Sequence, residues 1–207
     1  MKSGLKKMFD TLSSDYVNLR DVFMQLPTLE TDRLILRKVR KSDAEDFFAY
    51  AKDQEVAKHV LWHAHKTVKD TKRQIKILMR QYRHGDPSSF AIIDKASGKM
   101  IGTIGYMWVS AVDCSAEIGY SLCREFWNKG LMTEALKEVI RFSFEILMLN
   151  RLEAQHGTDN PASGRVMEKC GMKKEGILRQ RLINKGRLTD IALYSILKEE
   201  YIGGEKQ

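Results

Sequence analysis

At 207 residues, with 43% hydrophobic side chains and only three prolines, the chain has enough apolar material for one globular domain and no Pro/Gly/Ser-rich stretch that would mark a linker or a disordered region. Its longest apolar runs are broken by Lys, Arg or Glu well short of bilayer-spanning length, and the first residues hold no apolar core followed by a small-residue cleavage site, so a soluble, cytoplasmic protein is expected. Cys114, Cys123 and Cys170 are odd in number and lack paired metal-ligand spacing, which sets aside a disulfide framework and a zinc site, while the net charge of +8 is interspersed with acids, as in Lys137-Glu138 and Lys173-Lys174-Glu175, with no recognisable nucleic-acid module.

In chain order, residues 1–28 read as a helical extension, with Leu12, Tyr16, Leu19, Val22, Phe23 and Leu26 at near-helical intervals, packed on the domain or on a second subunit. Leu34 to Val39 gives a first strand. Ser42-Asp43-Ala44-Glu45 has the form of a capping box, with Ser42 as N-cap, opening a helix to about Tyr50, and a second helix is predicted from near Thr67 to Tyr82. His63 and His65 fall on one face if their segment is extended, but no third ligand accompanies them, and no metal is expected. Trp62 beside them reads as a core residue or as one shaping a pocket.

Ser89 to Asp94 and Lys99 to Tyr106 flank a turn containing Ser97-Gly98, a hairpin whose third strand carries Glu117. Gly102 and Gly105 are spaced wrongly for a dinucleotide fingerprint and predict a bulge or close backbone packing. From Leu131 to about Leu149, apolar residues at Met132, Ala135, Leu136, Val139, Ile140, Ile146 and Leu147 match one buried helix face. A strand at Arg151 to Gln155, a short helix at Ser163 to Lys169 and a hairpin across Lys185-Gly186 complete an α/β (α+β) domain with a mixed, mostly antiparallel sheet flanked by helices.

The most informative segment is Phe126-Trp127-Asn128-Lys129-Gly130-Leu131-Met132-Thr133-Glu134-Ala135, which joins a strand to that helix through a turn. The first amides of a helix lack internal partners and carry the positive end of the macrodipole, so such a junction can bind a pyrophosphate; Gly130 would let the backbone approach closely. Alone, it would be an ordinary turn. Together with Glu117-Ile118-Gly119-Tyr120 before it, and Asn160, Ser163, Lys169 and Gly171 after it, the chain resembles the GNAT acetyltransferases, within them the RimJ/RimL-like branch, over about residues 29–201, leaving 202–207 as a tail. It departs from the general pattern at Trp127 and Met132, the latter typical of that branch.

The resemblance implies acetyl-CoA as co-substrate, held by Trp127 to Thr133 (Trp127, Asn128, Lys129, Gly130, Leu131, Met132, Thr133), by backbone groups of Tyr120, Ser121 and Leu122 between splayed strands, and by Asn160 and Lys169. Glu117 is the candidate base, against a solvent-facing strand glutamate paired with an Arg. Ser163 is the candidate proton donor to the departing thiolate, against a helix-start serine bonding its own backbone. Asn160 could equally be a plain helix-start residue, and Tyr120 and Tyr194 read as core or as a general acid. The implied reaction is direct transfer of acetyl to a primary amine, a protein or peptide N-terminus being the leading acceptor and a ribosomal protein one candidate. A small-molecule amine acetyltransferase and a non-catalytic acyl-CoA-binding module are the rivals. No nucleic-acid or membrane contact is expected, and the protein is read as monomer or homodimer.

Overall fold

The computed structural model describes residues 17–204, so Leu12 and Tyr16 of the expected N-terminal helix lie outside the described residues. Helix α1 (Leu19–Met24) starts at Asn18, whose side chain accepts from the Asp21 amide. It lies along the end of α4 (Val68–His84), where Arg20 Nε donates to the His84 carbonyl at 3.1 Å, and buries Phe23 edge-on against Tyr106. This part of the extension packs on the domain itself.

Eight strands form one sheet in the order β1-β2-β3-β4-β5-β6-β8-β7, comprising β1 (Leu29–Glu30), β2 (Leu34–Lys38), β3 (Ser89–Asp94), β4 (Met100–Ser110), β5 (Ser115–Leu122), β6 (Arg151–Gly157), β7 (Lys173–Asn184) and β8 (Arg187–Leu197). Every pairing is antiparallel except β5 with β6. The alternation of β3 to β5 divides the sheet into two faces. One, carrying Phe90, Ile104, Tyr106 and Ile118, packs on α5 (Leu131–Glu145) and α6 (Pro161–Lys169), with Phe90 edge-on to Phe142 and the Tyr106 hydroxyl 2.6 Å from Ser143 Oγ. The other faces α2 (Ala44–Ala51), α3 (Gln54–Lys58) and α4, which the alternation of buried Thr71, Ile75, Leu78 and Tyr82 seats on the domain. A last helix, α7 (Lys198–Gly204), follows β8.

Several local expectations change. Ser42 and Glu45 form no capping box; a 3₁₀ turn (Lys41–Asp43) precedes α2, and buried Asp43 accepts from the Arg40 amide at 2.7 Å and from both Nη atoms of Arg37 at 2.8 Å. A carboxylate that already matches the Arg37 fork satisfies this turn better than a serine could. His63 and His65 lie in a loop rather than a strand, with His65 Nδ1 2.8 Å from Thr71 Oγ1. Helix α5 stops at Glu145, before Ile146 and Leu147, and Met148 turns to φ 55°. Gly102 and Gly105 are explained by close packing: a Cβ on Gly105 would lie 2.2 Å from Ser89 Cα, and one on Gly102 2.3 Å from the Ser121 carbonyl oxygen.

Candidate active site

The parallel pairing of β5 and β6 runs only from Ser115 opposite Arg151 to Ile118 opposite Ala154. Beyond it β5 continues to Leu122 on β4, and β6 continues to Gly157 on β8, so the facing edges of Gly119 to Leu122 and Gln155 to Gly157 part. The result is a wedge-shaped seam edged by backbone amides and carbonyls that no strand pairs. An extended ligand with its own amides fits such an edge as an added strand does.

Strand alternation places different chemistry on the two sides of this seam. On the α2–α4 side stands Glu117. Its Oε2 accepts from Trp108 Nε1 at 2.9 Å and its Oε1 from Gln155 Nε2 at 2.8 Å. Trp108 reaches it because β4 shifts register between Tyr106 and Trp108, a bulge that re-aims the side chain. Glu153, directly across from Glu117, is instead ion-paired with Arg151 at 2.6 Å, and Arg151 forks onto Glu175. Both partners of Glu117 are neutral donors, and its remaining lone pairs can receive a proton or a water.

On the α5–α6 side, the Tyr120 hydroxyl donates to the Ser163 carbonyl at 3.0 Å and accepts from Ser163 Oγ at 2.9 Å. Ser163 therefore does not spend its hydroxyl on its own helix. Burial pushes the Tyr120 phenol well above its usual pKa, against the opposing effect of the Ser163 hydrogen bond, so this pair keeps its protons through neutral pH. Asn160 opens α6 with no side-chain capping bond, leaving its amide for other partners, and Pro161 follows at the first helical position. Tyr194, buried in β8, donates to Glu168 at 3.0 Å and serves the core.

The seam leads to the start of α5. Gly130 is the N-cap at φ 76°, ψ 0°, and the first hydrogen-bonded amide is that of Glu134, to the Gly130 carbonyl at 3.0 Å. The amides of Leu131, Met132 and Thr133 point from the helix end without intrahelical partners. Asn128 also turns left-handed at φ 59°, and Lys129 sets its ammonium over the Phe126 ring. Trp127 uses its indole N–H on the Leu122 carbonyl at 2.8 Å, closing off that carbonyl and fixing the turn against the end of β5. Lys169, at the exposed C-terminal end of α6, borders a groove of about 650 Å³ that α5, the β1–β2 segment and α7 also line, with Lys137 and the acidic Glu134, Glu138 and Glu200 in its walls.

Sequence reasoning missed Arg33. Between β1 and β2, its guanidinium bonds both the Glu134 carboxylate, at 2.7 Å through Nε, and the Lys129 carbonyl, at 3.0 Å through Nη1. Thr31 Oγ1 and the Arg33 amide add bonds of 2.6 and 2.8 Å to Glu134 Oε1. Burial opposes ionisation of Glu134, but these donors overcome it and hold its pKa below the ordinary carboxylate value. A carboxylate in the first turn of α5 would repel a phosphate; locked onto Arg33 it instead fixes the turn. Trp108 and Gln155 were missed as well. Only a polar residue on the Glu117 face of β6, two positions beyond Glu153, could have hinted at Gln155.

The family described as the acetyltransferase (GNAT) domain matches residues 33–173. The chain belongs to the GNAT acetyltransferases. It is 36% identical over 178 residues to an uncharacterized N-acetyltransferase, p20, of Bacillus licheniformis, covering 86% of this chain and all of that one. It is 26% identical to the ribosomal protein uS5-alanine N-acetyltransferase of Escherichia coli, covering 85% of this chain and 93% of that enzyme. Among solved structures, a GNAT-family acetyltransferase from Bacillus anthracis superimposes with a TM-score of 0.75 at 26% identity, covering 84% of this chain and 99% of its own. The mixed sheet with its parted parallel pair is thus the GNAT fold of an N-acetyltransferase.

Proposed function

We propose that this GNAT enzyme transfers the acetyl group of acetyl-CoA directly to the α-amine of a protein or peptide N-terminus, a ribosomal protein being the leading acceptor. The observation that carries the reading is the seam between β5 and β6, which has a carboxylate acceptor on one face, a hydroxyl pair on the other and unpartnered helix amides at its end. Acetyl-CoA, the co-substrate of GNAT acetyltransferases, would supply an acetyl group activated as a thioester. Its pyrophosphate suits the amides of Leu131, Met132 and Thr133, and its amide-bearing arm suits the free strand edges.

An amine attacks only when neutral. In this reading Glu117, or a water bound to it, takes the proton from an ammonium arriving on the α2–α4 face. The hydroxyl of Ser163, backed by Tyr120 on the opposite face, gives a proton to the departing sulfur in this reading. A backbone amide along Gly119 to Leu122 can stabilise charge on the reacting oxygen, a contact worth about 3 kcal/mol in comparable acyl-transfer sites. The acceptor assignment draws support from the near full-length similarity to the uS5-alanine enzyme.

The test is thiol release from acetyl-CoA with a panel of amines that includes ribosomal-protein N-terminal peptides, polyamines and amino acids, with mass spectrometry to locate the acetyl group. Acetylation of a peptide α-amine at a kcat/KM well above that of the small amines is the expected result. Preference for a polyamine, or no thiol release with any amine, overturns it.

A further inference from the structure

Helix α4 carries Lys69, Lys72, Arg73, Lys76, Arg80 and Arg83, all exposed. At 3.6 residues per turn these six fall within an arc of roughly 100°, opposite the face that buries Thr71, Ile75, Leu78 and Tyr82. The interspersion of signs seen elsewhere in the sequence does not hold here. Arg73 reaches Asp70 at 3.1 Å, and the other five have no carboxylate within ion-pair distance among the described residues. The stripe runs for roughly 21 Å of helix axis at 1.5 Å per residue. Near its C-terminal half, Lys41 joins Lys76, Arg80 and Arg83 around a depression of about 480 Å³ with Ile77 and Met79 in its wall.

We propose that this face of α4 docks on the phosphate backbone of double-stranded RNA. A row of unneutralised cations is self-repelling and is relieved by a polyanion whose charges recur along a rigid axis. Helix α4 itself carries no exposed aromatic side chain among the six cations to stack an unpaired base, so the stripe reads the backbone of a duplex and not a single strand. Tyr82 roots the helix in the domain, its hydroxyl donating to the Ser89 carbonyl and accepting from the Val39 amide, so the stripe is held rigid. The inference rests on the ribosomal-protein reading for its choice of RNA: an N-terminus emerging from a ribonucleoprotein would be offered beside duplex phosphates, and α4 packs against α2, on the sheet face that carries Glu117.

The experiment measures binding of the full chain to a fluorescent RNA duplex of about two helical turns across a salt series, together with acetylation of a free peptide. Lys72→Glu/Lys76→Glu/Arg80→Glu is compared with Lys174→Glu/Arg179→Glu/Arg181→Glu, which changes the net charge equally on exposed β7. Wild type should bind with a log–log salt slope of roughly −4 to −5, and the α4 variant should lose at least about tenfold in affinity and about three in slope. The β7 variant should keep most of both, and all three proteins should acetylate the free peptide alike. Equal weakening by both variants, absence of wild-type binding at low salt, or competition by poly-glutamate as strong as by duplex overturns the proposal. Peptide acetylation without duplex binding removes the docking surface alone, whereas duplex binding without any accepted peptide removes the acceptor reading alone.

Discussion

Replacing Tyr120 by Phe deletes one oxygen and two hydrogen bonds, the 3.0 Å bond to the Ser163 carbonyl and the 2.9 Å bond from Ser163 Oγ. At about 1 kcal/mol net per neutral bond, the loss is about 1–2 kcal/mol of stability. In a chain of this length that lowers Tm by roughly 2–8 °C. The kinetic consequence follows from how the pair is wired. To protonate a departing thiolate, the Ser163 hydrogen must turn from Tyr120 toward sulfur, and the Tyr120 hydrogen must turn from the carbonyl to Ser163 Oγ to replace it. Losing that support removes about one hydrogen bond from the transition state, so kcat should fall about fivefold while KM for acetyl-CoA stays within about twofold. Ser163→Ala removes the donor itself. Because a thiolate is a far better leaving group than an alkoxide and departs without much help, the fall should lie near the lower end of the general-acid range, about 10²-fold. If Tyr120 acts through Ser163, the double variant should be no slower than Ser163→Ala. Steady-state thiol-release kinetics on the four proteins decide it. Rate losses that multiply, or a Tyr120→Phe enzyme with wild-type kcat, would refute the relay.

Glu117→Gln should depress the rate chiefly below neutral pH and recover as pH rises toward the α-amine pKa of about 8, where the acceptor is already neutral; a profile parallel to the wild type rules out a base role. Arg33→Ala should raise KM for acetyl-CoA about tenfold with kcat nearly unchanged, yet leave the KM for acetyl-pantetheine, which lacks the pyrophosphate, unaffected; equal effects on both thioesters would detach Arg33 from the phosphate turn. A Cβ at Gly130 meets nothing closer than Arg33 Nη2 at 3.6 Å, but Gly130→Val forces a β-branched residue to φ 76°, so a folded variant about 1–2 kcal/mol less stable with calorimetric acetyl-CoA affinity reduced at least about tenfold is expected, and unchanged affinity sinks the turn assignment. The hydrogen bonds from Arg151 and Ser195 pull Glu175 down to about 2, so its stabilising effect is complete above the unfolded value of about 4.3 and is lost as pH falls from there through about 2. Thermal melts of Glu175→Gln should accordingly show a shallower acid limb than wild type between pH 5 and 2, and parallel limbs would contradict that account.

What the sequence determined by itself was the set of features written in neighbouring residues. The Ser97-Gly98 hairpin, the amphipathic face of α5, the Gly130 turn before it and the order of strand, turn, helix, strand and helix all stand in the structure, because turn chemistry, helix periodicity and left-handed glycine geometry act over a few positions. Glu117 and Ser163 could be picked out as candidates from the sequence, but not their partners. Trp108 meets Glu117 only through a bulge in β4, Gln155 only where β6 leaves β5, and Tyr120 meets Ser163 across 43 residues. The helix start misplaced at Ser42 was decided the same way, by Arg37 reaching Asp43. Arg33 finds Glu134 across 101 residues, a pairing set by where β1 and β2 lie beside α5. Such contacts arise when strands choose neighbours, a choice made by burial of whole faces and without a local signal in the chain. Only the tertiary structure could therefore put the Glu117 carboxylate on one face of the seam and the Ser163–Tyr120 hydroxyl pair on the other.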